Sequence, residues 1–389
     1  MNMKSILPVV AEQFQIRPDI TFLNHGSFGA CPRPVFATYQ EWQRRLEADP
    51  VEFLGRRLDG MLSEAREPLA ASVGTHSDQI VFVLNATMGV NIVARSLQLE
   101  PGDEVLTTDH EYGAADRTWR FLCGQRGAKY INQPLAQPLE SDEEMIESLW
   151  QGVTPRTKVI FLSHITSPTA VIFPIEKICQ RARAAGIITV IDGAHAPGHI
   201  PLQLDTLGAD FYAGNCHKWL SAPKGAGFLY ARPERQALLQ PLIVSWGYES
   251  RTPGISNFQD YFGWTGTADP ASYLSVPAAI AFQREHDWDS VRLACHELAT
   301  SARQQISALF PDQQQLTSDS AHWWGQMCAM PLPAGDALAL QQRLREEWHI
   351  EIPVNIWNDR RFIRISLQGY NSPTDVDRLV TALKAIFER

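Results

Sequence analysis

The chain has 389 residues, 44% hydrophobic and 20% charged, with a formal net charge of −9. That length exceeds what one hydrophobic core usually supports, so a large unit with a smaller companion is expected. The acidic balance, with no basic block to offset it, argues against nucleic acid and anionic membranes as partners, although a local site can still be cationic.

At the N-terminus, Met1 to Gln15 lacks the long apolar stretch of a signal peptide. No window approaches the ~18 apolar residues of a membrane span. From about Gln79 short β-branched runs alternate with longer amphipathic ones. Gln79 to Leu84 reads as a strand and Met88 to Leu97 as a helix. Glu104 to Thr107 is a strand after a Pro-Gly-Asp turn, followed by a helix near Ala114 to Gln125. Ser141 to Trp150 is helical, Lys158 to Ser163 a strand, and Ile175 to Ala185 a helix ended by Gly186. Ile187 to Asp192, Asp210 to Ala213 and Gly227 to Ala231 complete the strands. Such alternation predicts a mostly parallel sheet with helices on both faces. The Gly- and aromatic-rich stretch from Ser245 to Asp269 breaks the rhythm. Helices over Ala271 to Arg284 and Trp288 to Leu309 follow. Strands at Met327 to Leu332 and Phe362 to Ser366 then flank a helix near Ala337 to Trp348, the pattern of a smaller α+β unit.

In open α/β sheets ligands bind beyond the carboxyl ends of the strands, where several polar clusters fall. Asn85-Ala86-Thr87-Met88-Gly89 opens a helix, so its amides and dipole can hold a phosphate; an ordinary N-cap is the plainer alternative. Asp109-His110-Glu111-Tyr112 offers a ring to stack on a cofactor. Ser163-His164-Ile165-Thr166-Ser167 offers hydroxyls. Asp192 closes a buried strand, and a buried carboxylate needs a cationic partner. Asn215, His217 and Lys218 form the tightest cluster. A lysine able to form an imine, with a strand-tip carboxylate to keep a pyridine nitrogen protonated, meets the requirements of pyridoxal phosphate. Arg364 alternates with apolar residues on a strand and suits capture of a carboxylate, unless it is merely an exposed edge arginine. The pair His195 and His199 lacks a third ligand, so no metal is expected. The six cysteines, Cys31, Cys123, Cys179, Cys216, Cys295 and Cys328, form no C-x-x-C pair, which points to reduced thiols in a cytoplasmic protein. G-x-G-x-x-G after a strand, a P-loop and a G-x-S-x-G elbow are all missing.

These motifs, with Asn24-His25-Gly26-Ser27-Phe28-Gly29, His217-Lys218-Trp219 and Arg364-Ile365-Ser366-Leu367, resemble the class V aminotransferase family of fold-type-I pyridoxal-phosphate enzymes, especially its isopenicillin N epimerase-like branch. The resemblance implies a seven-stranded, mostly parallel sheet within a large cofactor-binding domain at residues 21–268. Residues 1–20 and 269–389 would form the small domain. It implies Lys218 as the Schiff-base lysine, Asp192 as the pyridinium partner and His195 near the ring oxygen, with Tyr112 or His110 over the ring. Thr87 with the Ala86 and Met88 amides, Ser167, Asn215 and His217 would complete the cofactor site. Thr267 would reach a neighbouring subunit's phosphate in a homodimer with shared sites. Asn24, His25, Gly26 and Arg364 would face the substrate. Relatives tend to have glycine where this chain has Ala170. The expected chemistry is removal of a Cα proton from an amino acid or a derivative. Epimerisation, C–S lysis of a cysteine conjugate and transamination stay open as its outcome. A catalytically inactive ligand-binding relative is the non-enzymatic alternative. The stretch Pro353 to Arg360, where desulfurases of this superfamily carry a nucleophilic cysteine, has none.

Overall fold

The computed structural model of the chain describes residues 10–388; the first nine residues of the expected small domain lie outside them. The large sheet has seven strands: β2 (Ile80–Val83), β3 (Glu104–Thr108), β4 (Lys129–Gln133), β5 (Thr157–Ser163), β6 (Ile188–Gly193), β7 (Phe211–Asn215) and β8 (Gly227–Ala231). Their order is β2-β8-β7-β6-β5-β3-β4, and β8 alone runs against the rest. Apart from Lys158 and Ile188 near their starts, the central strands are buried, as expected of a parallel sheet covered on both faces. Strand β4 is the one the alternation of apolar runs misses. Its residues Lys129, Asn132 and Gln133 suit an edge that is only partly covered.

Two buried clusters, one on each face, hold the layers together. Trp119, Phe161 and Val190 belong to one, and Tyr212, Phe228 and Ile191 to the other. The long N-terminal helices Arg33–Ala48 and Leu58–Ser72 also escape the sequence pattern. The first buries only Val35 and Leu46, so its apolar stripe is thin.

A second sheet, ordered β11-β12-β9, combines Val354–Trp357, Arg360–Ser366 and Met327–Leu332. The short strand β1 (Thr21–Phe22) pairs in parallel with β10 (Ile350–Glu351). β1 is thus tied to the C-terminal part of the chain, whereas the expected large domain, residues 21–268, included it. The β11–β12 hairpin also reaches across to the large sheet, where Trp357 Nε1 donates to the Asp109 carbonyl at 2.7 Å. Among the described residues, no helix is long and apolar enough to cross a membrane.

Candidate active site

The strand register brings the site together. Ser163 of β5 lies beside Asp192 of β6, and Asp192 beside Ala213 of β7. The loop after β7 then carries His217 and Lys218 back over the same edge. The helix Ala86–Ser96 begins there too. A cavity of about 220 Å³ opens above, lined by Ser27, Phe28, Thr87, Tyr112, Ser163, Ser167, Asp192, His195, Asn215, His217 and Lys218 among others.

Lys218 Nζ lies 3.2 Å from His195 Nε2. Burial, followed by the Arg364 cation, lowers its amine to about 8, against an opposing pull from Asp192. At neutral pH a usable fraction is therefore uncharged and nucleophilic. Asp192 is 5% exposed, and the one hydrogen bond to its carboxylate among the described residues comes from the Ala194 amide at 2.9 Å. Burial pushes this carboxyl up from its ordinary range. Arg364 is 4% exposed and donates to the Ser167 carbonyl at 2.5 Å and to the hydroxyls of Ser167 and Ser27, each at 3.2 Å. Its Nε is buried without a partner, and burial lowers the guanidinium to about 10. It stands behind the two serines that line the cavity and is not itself a wall residue.

Several expectations need correction. The Ala86 amide is already bound by Asn215 Oδ1 at 2.8 Å, and the Met88 amide by Asn85 Oδ1 at 2.9 Å. Asn215 and Asn85 thereby cap the helix, which leaves exposed Thr87 as the residue that presents its amide and hydroxyl. His110 does not line the cavity. Its ring is buried against Phe173 and Trp357, and Nδ1 contacts Thr169 Oγ1 at 2.8 Å. Tyr112, 46% exposed, is the ring at the cavity.

Asn24, His25 and Gly26 do not face it either. His25 is fully buried, with Nε2 3.0 Å from the Lys218 carbonyl and Nδ1 2.9 Å from the Tyr370 hydroxyl. Asn24 donates to Glu351 at 3.2 Å, and Gly26 abuts Met327 and Ser366. Gly29 has φ +68, and a Cβ there would lie 1.9 Å from the His217 carbonyl; only glycine fits. This opening motif props the loop of His217 and Lys218 from below, and from it only Ser27 and Phe28 reach the cavity. Sequence reasoning missed those two because motif position alone does not reveal which side chains turn inward. Thr267 is exposed and lies outside the cavity. Ala170 sits at φ 58, the left-handed region that explains the preference for glycine there.

The residues suit pyridoxal phosphate. Asp192 is a buried, under-bonded carboxylate that a protonated ring nitrogen would satisfy. Thr87 at a helix N-terminus and His217 offer donors to a phosphate, Tyr112 offers a face, and Lys218 offers an amine. Burial leads in lowering the His217 imidazole to about 4, with Lys218 and Lys224 adding to it, so an anion beside it would favour its protonated form. Among the described residues no group of three His, Cys, Asp or Glu is arranged to hold a metal.

A doubly covered, mostly parallel sheet with a lysine and a buried carboxylate meeting at its carboxyl edge defines an α/β protein with a lysine-centred cavity. The chain belongs to the aminotransferase class-V family, whose model matches residues 27–379. It is 37% identical to isopenicillin N epimerase of Amycolatopsis lactamdurans, covering 96% of this chain and 97% of that one. It is 28% identical to the probable chloroplastic L-cysteine desulfhydrase of Arabidopsis thaliana, over 95% and 83% of the two chains. In fold it is similar to the cysteine desulfurase CsdA of Escherichia coli, with TM-score 0.82 at 23% identity over 98% of each chain.

Proposed function

We propose that this protein is a pyridoxal-phosphate enzyme that removes the Cα proton of an amino-acid-type substrate and restores it on the opposite face, as an epimerase or racemase. The observation that carries the reading is the Lys218 amine, 3.2 Å from His195 Nε2 in a cavity that it shares with the buried Asp192 carboxylate. When bound, the cofactor supplies a ring that draws electrons away from Cα. Lys218, desolvated and partly neutral, takes the proton as general base. Asp192 holds its negative charge at the far end of the site, where it favours a protonated ring nitrogen. Arg364, with Ser27 and Ser167, orients the substrate carboxylate.

The homologous epimerase at 37% identity supports epimerisation. Relatives named for cysteine desulfhydrase and hercynylcysteine sulfoxide lyase activity support C–S lysis as the second reading. A persulfide-forming desulfurase is disfavoured, because no cysteine is among the cavity residues. The partner is a second copy of the chain. Trp246 (83% exposed) and Ile255 (79%), which lie together, and Phe28 (74%) at the cavity are exposed apolar side chains that a homodimer would cover, and exposed Thr267 is available to a neighbour's phosphate. Six unpaired cysteines support a cytoplasmic location.

A panel of L-amino acids and S-substituted cysteines, assayed together for chirality, pyruvate and keto acid, tests the reaction. Loss of chirality without pyruvate or keto acid is expected. Pyruvate would favour lysis, keto acid would favour transamination, and protein that stays colourless with pyridoxal phosphate would favour a non-catalytic relative.

A further inference from the structure

Trp219 lies at the centre of a buried stack beneath the cavity. Its indole is sandwiched between two imidazoles, with His199 stacked at 4.0 Å between centroids and His25 tilted at 4.9 Å. The ring's one polar atom, Nε1, reaches His195 Nδ1 at 3.2 Å. An indole N–H donates and never accepts, so His195 Nδ1 must offer a lone pair. A neutral imidazole with bare Nδ1 carries its proton on Nε2, and that hydrogen points at Lys218 Nζ, 3.2 Å away. An ammonium in that position would set hydrogen against hydrogen, whereas a neutral amine would accept.

We propose that Trp219 is a positioning residue whose indole N–H locks His195 in the Nε2–H tautomer and thereby favours the uncharged amine of Lys218. The rest of the stack keeps the lock from turning. His199 Nδ1 donates to the His195 carbonyl at 3.0 Å, while its Nε2 accepts from the Gln326 amide at 2.7 Å. A Cβ at Gly325 would come within 2.4 Å of that Nε2, so the segment leading into β9 packs directly against this ring. Gln283 Nε2 holds the Trp219 carbonyl at 2.8 Å.

The charged and titratable groups facing His195 are Lys218, Arg364, His199 and His217, and with burial as the largest cause they all disfavour its imidazolium form. Lys218 itself faces Arg364 and Asp192. A protonated Nδ1 would leave the indole hydrogen buried without an acceptor, a cost comparable to a lost hydrogen bond.

The consequence for Lys218 rests on the catalytic reading above, but the tautomer does not, and it is measured in cofactor-free protein without turnover. Long-range ¹⁵N–¹H spectra of ¹⁵N-histidine-labelled protein, with His195 assigned by its disappearance in His195→Gln, should show at neutral pH a pyridine-like Nδ1 and a pyrrole-like Nε2. Benzothienylalanine at position 219 keeps the shape of the ring and replaces N–H by sulfur, and Trp219→Phe provides a second variant. In both, His195 should populate the other tautomer. The Lys218 titration midpoint, followed by lysine NMR, should rise by about one unit, a tenfold loss of neutral amine at fixed pH. A proton on Nδ1 or an imidazolium in the unsubstituted protein would overturn the proposal, and so would a benzothienyl variant with unchanged tautomer and midpoint. If Trp219→Phe fails to fold, the spectrum of the unsubstituted protein still decides. Failure of the enzymatic reading would look different: the tautomer would stand and the substrate panel would be silent.

Discussion

The floor and the rim of the cavity are built on opposite principles. The floor is a buried hydrogen-bonded network of His195, His199 and His25 around Trp219, which carries Lys218 within the fields of Asp192 and Arg364. The rim is exposed and aromatic, with the rings of Phe28 and Tyr112 at the cavity. Buried polar networks are rigid because any unpaired member is costly. On the proposed reading the floor fixes the proton chemistry, and the rim is left free to choose substrate and partner.

The largest effect should come from removing the floor's reacting group. Lys218→Ala is expected to lower turnover by at least about 10² to 10⁴, the usual worth of a positioned general base; retained turnover would refute its role. Arg364→Ala should lower kcat/KM by about 10- to 100-fold, as loss of a charged hydrogen-bonding partner implies. Arg364→Lys should recover only part of this, because an ammonium cannot reproduce the planar fork. An undiminished kcat/KM in Arg364→Ala would place the substrate carboxylate elsewhere.

The floor also predicts acid sensitivity. Burial holds His25 and His199 at about 3, below the ordinary 6.5. Both are neutral in the fold, and both take a proton on unfolding once the pH drops under 6.5. Their contribution is complete above that value and fades as pH falls toward about 3, by up to about 1.4 kcal/mol per unit for each histidine. Urea unfolding at stepped pH measures it, and a flat profile between neutral pH and pH 5 would contradict the neutral floor. The smallest effect belongs to the rim. Tyr112→Leu should weaken cofactor affinity by about fivefold, the worth of one aromatic contact, and His110→Leu should leave it nearly unchanged. The reverse ranking in a fluorescence titration would restore His110 to the cofactor face.

Much of this was legible beforehand. Asp192 and Lys218 announce themselves because chemistry demands a carboxylate and an amine at strand ends, and apolar runs mark those ends. What the sequence could not show was the direction of side chains. Asn215 and the Ala86 and Met88 amides look like phosphate ligands until the bonds that Asn215 and Asn85 make to those amides are seen, and His25 looks like a substrate contact until its ring is found beneath Lys218. Strand β4 and the helix Arg33–Ala48 were missed for a simpler reason, since each buries too little apolar surface to impose a period.

The most direct test is to load the protein with pyridoxal phosphate, reduce it with borohydride, and map the pyridoxyl group by peptide mass. The group should reside on Lys218. Its appearance on Lys224, the other lysine between β7 and β8, or on no single residue, would contradict the account.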